Sequence, residues 1–122
     1  MDTSITINIK RIYEAYDEAD GLRILVDRLW PRGIKKETAH VDRWFKEIAP
    51  STQLRKWYDH DPEKFSVFKK KYKTELNQTN ALDELINYID HHKQITLLFA
   101  AKDAELSNAA VLREIIISHL NK

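Results

Sequence analysis

The run Leu25-Val26-Asp27-Arg28-Leu29-Trp30-Pro31-Arg32-Gly33 puts an acid, two guanidinium groups and an indole at the end of an apolar strand. Unpaired charge there is expensive to desolvate, so folding alone does not ask for Asp27 and Arg28 at that position. In an open α/β sheet, the ends of the strands are where ligands bind. The chemistry this group suits is the holding of an anion. Arg28 and Arg32 supply positive charge, Trp30 beside Pro31 can wall a pocket, and Gly33 permits a close approach of backbone to ligand. Each residue also has a structural use: Asp27 can accept backbone N–H groups, Arg28 can bridge to a helix acid, and Arg32 can stand solvated on the surface.

Two further groups belong to the same reading. Lys102 and Asp103 follow an apolar strand, and Ser107 or Asn108 opens the last helix, whose free N–H groups and positive dipole end suit phosphate or carboxylate. Plain capping serves Ser107 and Asn108 as well. Arg55 can turn toward the strand ends, and His60 can carry a proton near neutral pH or simply pack at a helix junction. The candidate set is therefore Asp27, His60 and Asp103 for proton transfer, with Arg28, Trp30, Arg32, Gly33, Arg55, Lys102, Ser107 and Asn108 for ligand binding. No metal or cofactor is expected. His91-His92 suits a helix end, and no H-E-x-x-H, G-x-S-x-G or glycine-rich nucleotide loop occurs.

The elements that must position these residues follow from periodicity. Ile5, Ile7 and Ile9 alternate with polar residues, which predicts a half-buried strand to about Tyr13, and a second strand runs from about Arg23 to Leu29. Glu14 to Gly21 is a polar surface connection. Val41, Trp44, Phe45 and Ile48 fall on one face of a predicted short helix, ended by Ala49-Pro50. Ser51 caps the next helix, with Leu54, Trp57 and Tyr58 as its stripe. Asp61-Pro62-Glu63 restarts the chain into a long helix that turns Phe65, Phe68, Tyr72 and Leu76 inward. Asn80 and Asp83 bracket another, carrying Leu82, Leu85, Ile86 and Ile89. Ile95 to Ala101, nearly all apolar, reads as a central parallel strand. The final helix carries Val111, Leu112, Ile115, Ile116 and Leu120. The class is α/β: a small mixed or parallel sheet of about three to four strands flanked by helices, with a helical tract in the middle. An extra short strand could hide between residues 34 and 94. Trp44 and Trp57 are expected in the core, and Lys69 to Lys73 on a solvated face.

The chain has 122 residues, 43% of them hydrophobic and 32% charged, which bounds it to one domain over 1–122. Twenty basic residues against nineteen acidic ones leave no bulk field toward nucleic acid or membrane. There are no cysteines, which removes disulfides, thiolate nucleophiles and zinc-thiolate sites. The start shows no secretory leader and no apolar run could span a bilayer, so a cytoplasmic address is the default expectation.

Ile9-Lys10-Arg11-Ile12-Tyr13, the D-R-x-W-P-R-G string of Asp27 to Gly33, Ala49-Pro50-Ser51 with Leu54-Arg55-Trp57, His60-Asp61-Pro62 and the stretch from Leu97 to Leu112 together resemble the YeaO-like family, a bacterial domain of unknown function 488. The resemblance covers nearly the whole chain. It implies a small cytoplasmic α/β protein with no established activity, and marks Asp27, Arg28, Trp30, Pro31, Arg32, Gly33, Arg55, His60, Asp61, Asp103 and Asn108. This chain departs from that pattern twice: Lys102 stands where the family often has arginine, and Ala109 where it often has histidine. Lys102 keeps the charge but loses the fork of donors. More distant relatives place a cysteine near the end of the corresponding last strand, a chemistry this chain cannot share.

The functional expectation is a small phosphate- or carboxylate-bearing ligand held at the C-terminal ends of the strands, with hydrolysis or group transfer as the natural chemistry if turnover occurs. Whether it is an enzyme, and its oligomeric state, are left open by these residues. The alternatives are a nucleic-acid-binding regulator using Lys69 to Lys73 and Arg32 on phosphates, the less favoured partner class, and a protein-interaction module gripping through the strand-end surface.

Overall fold

Alternation of Ile7 and Ile9 with Asn8 and Lys10 builds an edge strand, β1 (Thr6–Arg11), and three more strands join it in the computed structural model, which describes residues 4–121. They are β2 (Leu22–Leu25), β3 (Arg43–Trp44) and β4 (Gln94–Phe99), in the order β1-β4-β2-β3, every pair parallel. The reading of the chain start as free of a leader rests partly on residues 1–3, outside the described residues.

The helices are α1 (Thr52–Tyr58), α2 (Phe65–Asn77), α3 (Ala81–Ile89) and α4 (Asn108–Leu120). Their apolar stripes, among them Leu54 and Tyr58, Phe68 and Tyr72, Leu85 and Ile89, and Val111 and Leu112, join Ile7, Ile24, Ile95, Leu97 and Phe99 in one core. All four helices thus pack on one face of the sheet. The other face carries Leu25 and Leu98, with Ile12, under a thinner cover of Trp30, Ile34, Val41 and Trp44. Among the described residues, no helix is long and apolar enough to cross a membrane.

The predicted helix over Val41 to Ile48 does not form. His40 takes a positive φ of 53°, and the N–H groups of Asp42 and Phe45 donate to the carbonyls of Arg23 and Leu25 at 2.8 Å each. Those bonds draw the segment into the ladder as β3, followed by a 3-10 turn over Lys46–Ile48. Its helix-like spacing is divided between two faces: Val41 and Trp44 cover the thin side, while Phe45 and Ile48 enter the main core. The second strand also ends earlier than predicted, at Leu25; the Val26 N–H still donates to the Leu98 carbonyl at 3.0 Å, and Asp27 lies beyond the ladder.

Trp57 is not a core residue. Leu54 and Tyr58, four apart, are the buried line of the seven-residue α1, and Trp57 is turned away from it at 38% exposure. Trp44 is only half-buried, its indole N–H donating to the Asp27 carbonyl at 2.8 Å. The caps at Ser51 and Asp61 form as predicted, the side chains accepting from the N–H groups of Leu54 and Glu63.

On the thin face the β1–β2 connection is clasped by Asp20. Its carboxylate accepts from Lys10 of β1 and from the buried Arg23 of β2, and its carbonyl accepts from Thr96 of β4 at 2.7 Å. Arg23 completes its hydrogen bonds on the carbonyls of His40 and Ala39.

Candidate functional site

After β2 the chain passes to the thin face, where residues 30–44 lie, and after β4 it passes through α4 to the helical face. The C-terminal ends of neighbouring strands whose continuations part to opposite faces are the place where open α/β sheets receive ligands. Asp27 stands there. Its carboxylate accepts the N–H of Ala100, the first residue past β4, at 2.9 Å. Asn108, the first residue of α4, also hydrogen-bonds that carboxylate, and its amide donates to the Val26 carbonyl at 3.0 Å. Asn108 therefore stitches the start of α4 to the end of β2.

Burial pushes the Asp27 carboxyl above the usual carboxylate range. The Ala100 N–H, the Asn108 side chain and the positive charges of Arg55 and His60 all pull the other way without undoing the rise. Arg55 and His60 are both exposed, so their side chains face water beside a half-buried acid. His60 reaches that position from a left-handed turn, Asp59 at φ 44° and His60 at φ 56°, a conformation Asp and His adopt more readily than most side chains.

Arg28 does not bridge to a helix acid. Its Nε and Nη2 donate to the carbonyls of Pro50 and Ala49, each at 3.1 Å, and so fasten the strand end to the start of α1. Trp30, Arg32 and Gly33 belong to the loop over the thin face. The Trp30 N–H donates to the Ile34 carbonyl at 2.7 Å, its ring meets Trp44 edge-on at 5.5 Å, and the Arg32 carbonyl accepts from the Tyr13 hydroxyl. Arg32 and Gly33 are exposed. Lys102 is exposed too, and Asp103 caps a 3-10 turn by accepting the Glu105 N–H at 3.1 Å. Ser107, 2% exposed, caps α4 through Ala110 and donates to the Ala104 carbonyl. The geometry thus brings together Asp27, Asn108, Arg55 and His60, with Arg28 as their anchor. Trp30, Arg32 and Gly33 continue from Asp27 into the loop over the thin face, where Trp30 packs on Trp44.

Tyr72 of α2, expected on an inward stripe, carries a polar contact as well as packing. It is fully buried, donates to the Ile48 carbonyl at 2.6 Å, and has its phenol pushed far up by burial, with the Asp27 charge adding to the effect. Its place on a clean apolar stripe gave no signal beyond packing. Arg23 was legible in principle, as the one charge inside Leu22-Arg23-Ile24-Leu25.

The raised Asp27 carboxyl fixes the sign of a pH effect. At low pH Asp27 is protonated folded and unfolded alike. As pH rises, the unfolded chain ionises first, so this group's contribution to stability is lost between the ordinary carboxylate pKa and the raised folded value. Asp27→Asn cannot ionise and lacks that loss. Chemical denaturation across the acid range should show the variant gaining on the parent as pH increases, and a gap flat with pH would mean that Asp27 titrates as a free carboxylate does.

A family model described as "Inactive DUF488-N3 subclade" matches residues 6–122. An uncharacterized protein of Mycobacterium tuberculosis strain H37Rv is 41% identical over 110 residues, 90% of this chain and 92% of its own. The uncharacterized protein YeaO of Escherichia coli K12 is also 41% identical over 110 residues, 90% of this chain and 96% of its own. No solved structure gives a significant match. With both the family model and these relatives running along nearly the whole sequence, the chain belongs to the YeaO-like DUF488 family.

Proposed function

We propose that the chain, as one domain over residues 1–122, binds a small phosphate- or carboxylate-bearing ligand at the C-terminal ends of β2 and β4, without turning it over. The observation that carries this reading is the half-buried Asp27 at the parting of two strand continuations, with exposed Arg55 and His60 close enough to act on its charge. Arg55 and His60 donate hydrogen bonds to the anion. Asp27, with its pKa raised, takes up a proton as the anion arrives and offers it a hydrogen bond.

Binding is favoured over hydrolysis or transfer because the hydroxyls nearest in the chain are committed. Ser51 donates to Glu75 and Ser107 to Ala104. The chain has no cysteine to serve as nucleophile, and the word "inactive" in the subclade's description agrees with a site that holds without reacting.

Inorganic phosphate and a nucleoside monophosphate should raise the melting temperature. Arg55→Ala should weaken binding by about tenfold, the loss of one charge-assisted hydrogen bond of 1.5 kcal/mol or so. Stabilisation that survives Arg55→Ala with His60→Ala, or that neither anion produces in the parent, would place the ligand elsewhere or remove it.

A further inference from the structure

Trp57 lies apart from those strand ends, and packing does not account for its position. A groove of about 460 Å³ runs between α1 and α2, with Leu54 and Trp57 on one side and Lys70, Lys71 and Thr74 on the other. Two ammonium groups flank the exposed indole: Lys71 Nζ is 4.9 Å and Lys64 Nζ 5.1 Å from its ring centre. Lys64 is held there by donating to the Trp57 carbonyl at 2.9 Å. The carboxylate in the groove, Glu75, is turned onto the N–H and hydroxyl of Ser51, so it does not neutralise these lysines. Lys69 leaves in another direction, to Glu114 at 3.1 Å.

The charge is concentrated as well as aimed. Residues 52–77 hold seven basic and four acidic side chains, in a chain with twenty against nineteen, so the remainder is net acidic. We propose that the groove between α1 and α2 binds single-stranded nucleic acid, with one base against Trp57 and backbone phosphates on Lys64, Lys70 and Lys71. A lysine over an indole face holds a modest cation–π contact. An unpaired base replaces that contact with a stacked ring, while its phosphate takes the displaced ammonium, so one ligand satisfies both partners. An acidic peptide offers carboxylates but nothing planar for the ring, and a duplex keeps its bases stacked inside.

The test is fluorescence anisotropy of a short labelled oligothymidylate on the full chain at low salt. Three phosphate contacts give a log–log salt slope of roughly −2. Trp57→Ala should weaken binding about tenfold or more, and Trp57→Phe should retain most of it. Lys70→Ala with Lys71→Ala should flatten the salt slope. These positions are exposed, so melting curves close to the parent's are expected; should Trp57→Ala fail to fold, Trp57→Phe and the lysine pair decide. Lys35→Ala, at an exposed lysine in the loop over the thin face, should leave the oligonucleotide affinity unchanged, which separates this groove from general surface charge. The proposal is overturned by no binding at low salt, by Trp57→Ala binding as the parent does, or by equal competition from polyglutamate, a mononucleotide or a duplex of the same length.

Discussion

Gly21→Ala should destabilise the fold by about 4 kcal/mol, a large part of the roughly 5–15 kcal/mol margin of a folded domain. Gly21 closes the β1–β2 connection with φ 67° and ψ −133°, a region that side chains other than glycine reach only under strain of about 1–3 kcal/mol. A methyl group there also has no room. It would meet the carbonyl oxygen of Gln94 at 2.3 Å and the Gln94 Cβ at 2.7 Å, and Gln94 is the first residue of β4, paired with Thr6 of β1. Relief requires moving backbone in the central strand, and overpacking of that kind costs about another 1–3 kcal/mol. Gly33 supplies the control. It too has a positive φ, 80°, but nothing within 4 Å of a built methyl, so Gly33→Ala carries the conformational cost alone. Urea unfolding of the two variants should separate them by about 2 kcal/mol. Equal losses would mean that the approach of Gly21 to β4 is relieved without cost.

That close approach was invisible in the sequence, where Gly21 reads only as the end of a polar connection. What was legible follows one rule: elements that bury a single face, or both, carry their period openly. The alternation of Ile5 to Ile9 and the apolar run of Ile95 to Phe99 gave β1 and β4, and the stripes of Phe68, Tyr72 and Leu76 and of Val111 to Ile116 gave α2 and α4. β3 was hidden because it is two residues long and its flanking apolar residues serve two opposite faces, which mimics a helix. Trp57 misled for a related reason. In so short a helix a residue beside the buried pair looks like part of the stripe, and only the lysines around it reveal that it faces out. At the strand ends, the unusual placement of Asp27 and Arg28 was readable from the chain. Their partners were not, because Ala100, Asn108, Ala49 and Pro50 arrive from distant parts of the sequence, and three of the four contribute backbone groups that every residue carries.

Asp20→Ala should cost about 3–5 kcal/mol, because it leaves the Arg23 guanidinium buried without its counter-charge. The Arg23 side chain is 3% exposed and that of Asp20 11%, so water cannot replace what is removed. The carbonyls of His40 and Ala39 still accept from Arg23, but they carry no net charge. Lys10 loses the same partner. The effect has a pH signature opposite to that of Asp27. Burial by itself would raise the Asp20 carboxyl, but hydrogen bonds from Lys10, the Asp17 N–H and Arg23 outweigh it and hold the group below its ordinary value. A carboxyl lowered by folding gives stability that is complete above the unfolded pKa and disappears as pH falls through the folded one. The gap between parent and Asp20→Ala should therefore be full at neutral pH and narrow on acidification below the ordinary carboxylate range, whereas the Asp27→Asn variant gains on the parent as pH rises. A gap for Asp20→Ala that stays constant into strong acid would show that the clasp holds the three strands by shape and not by charge.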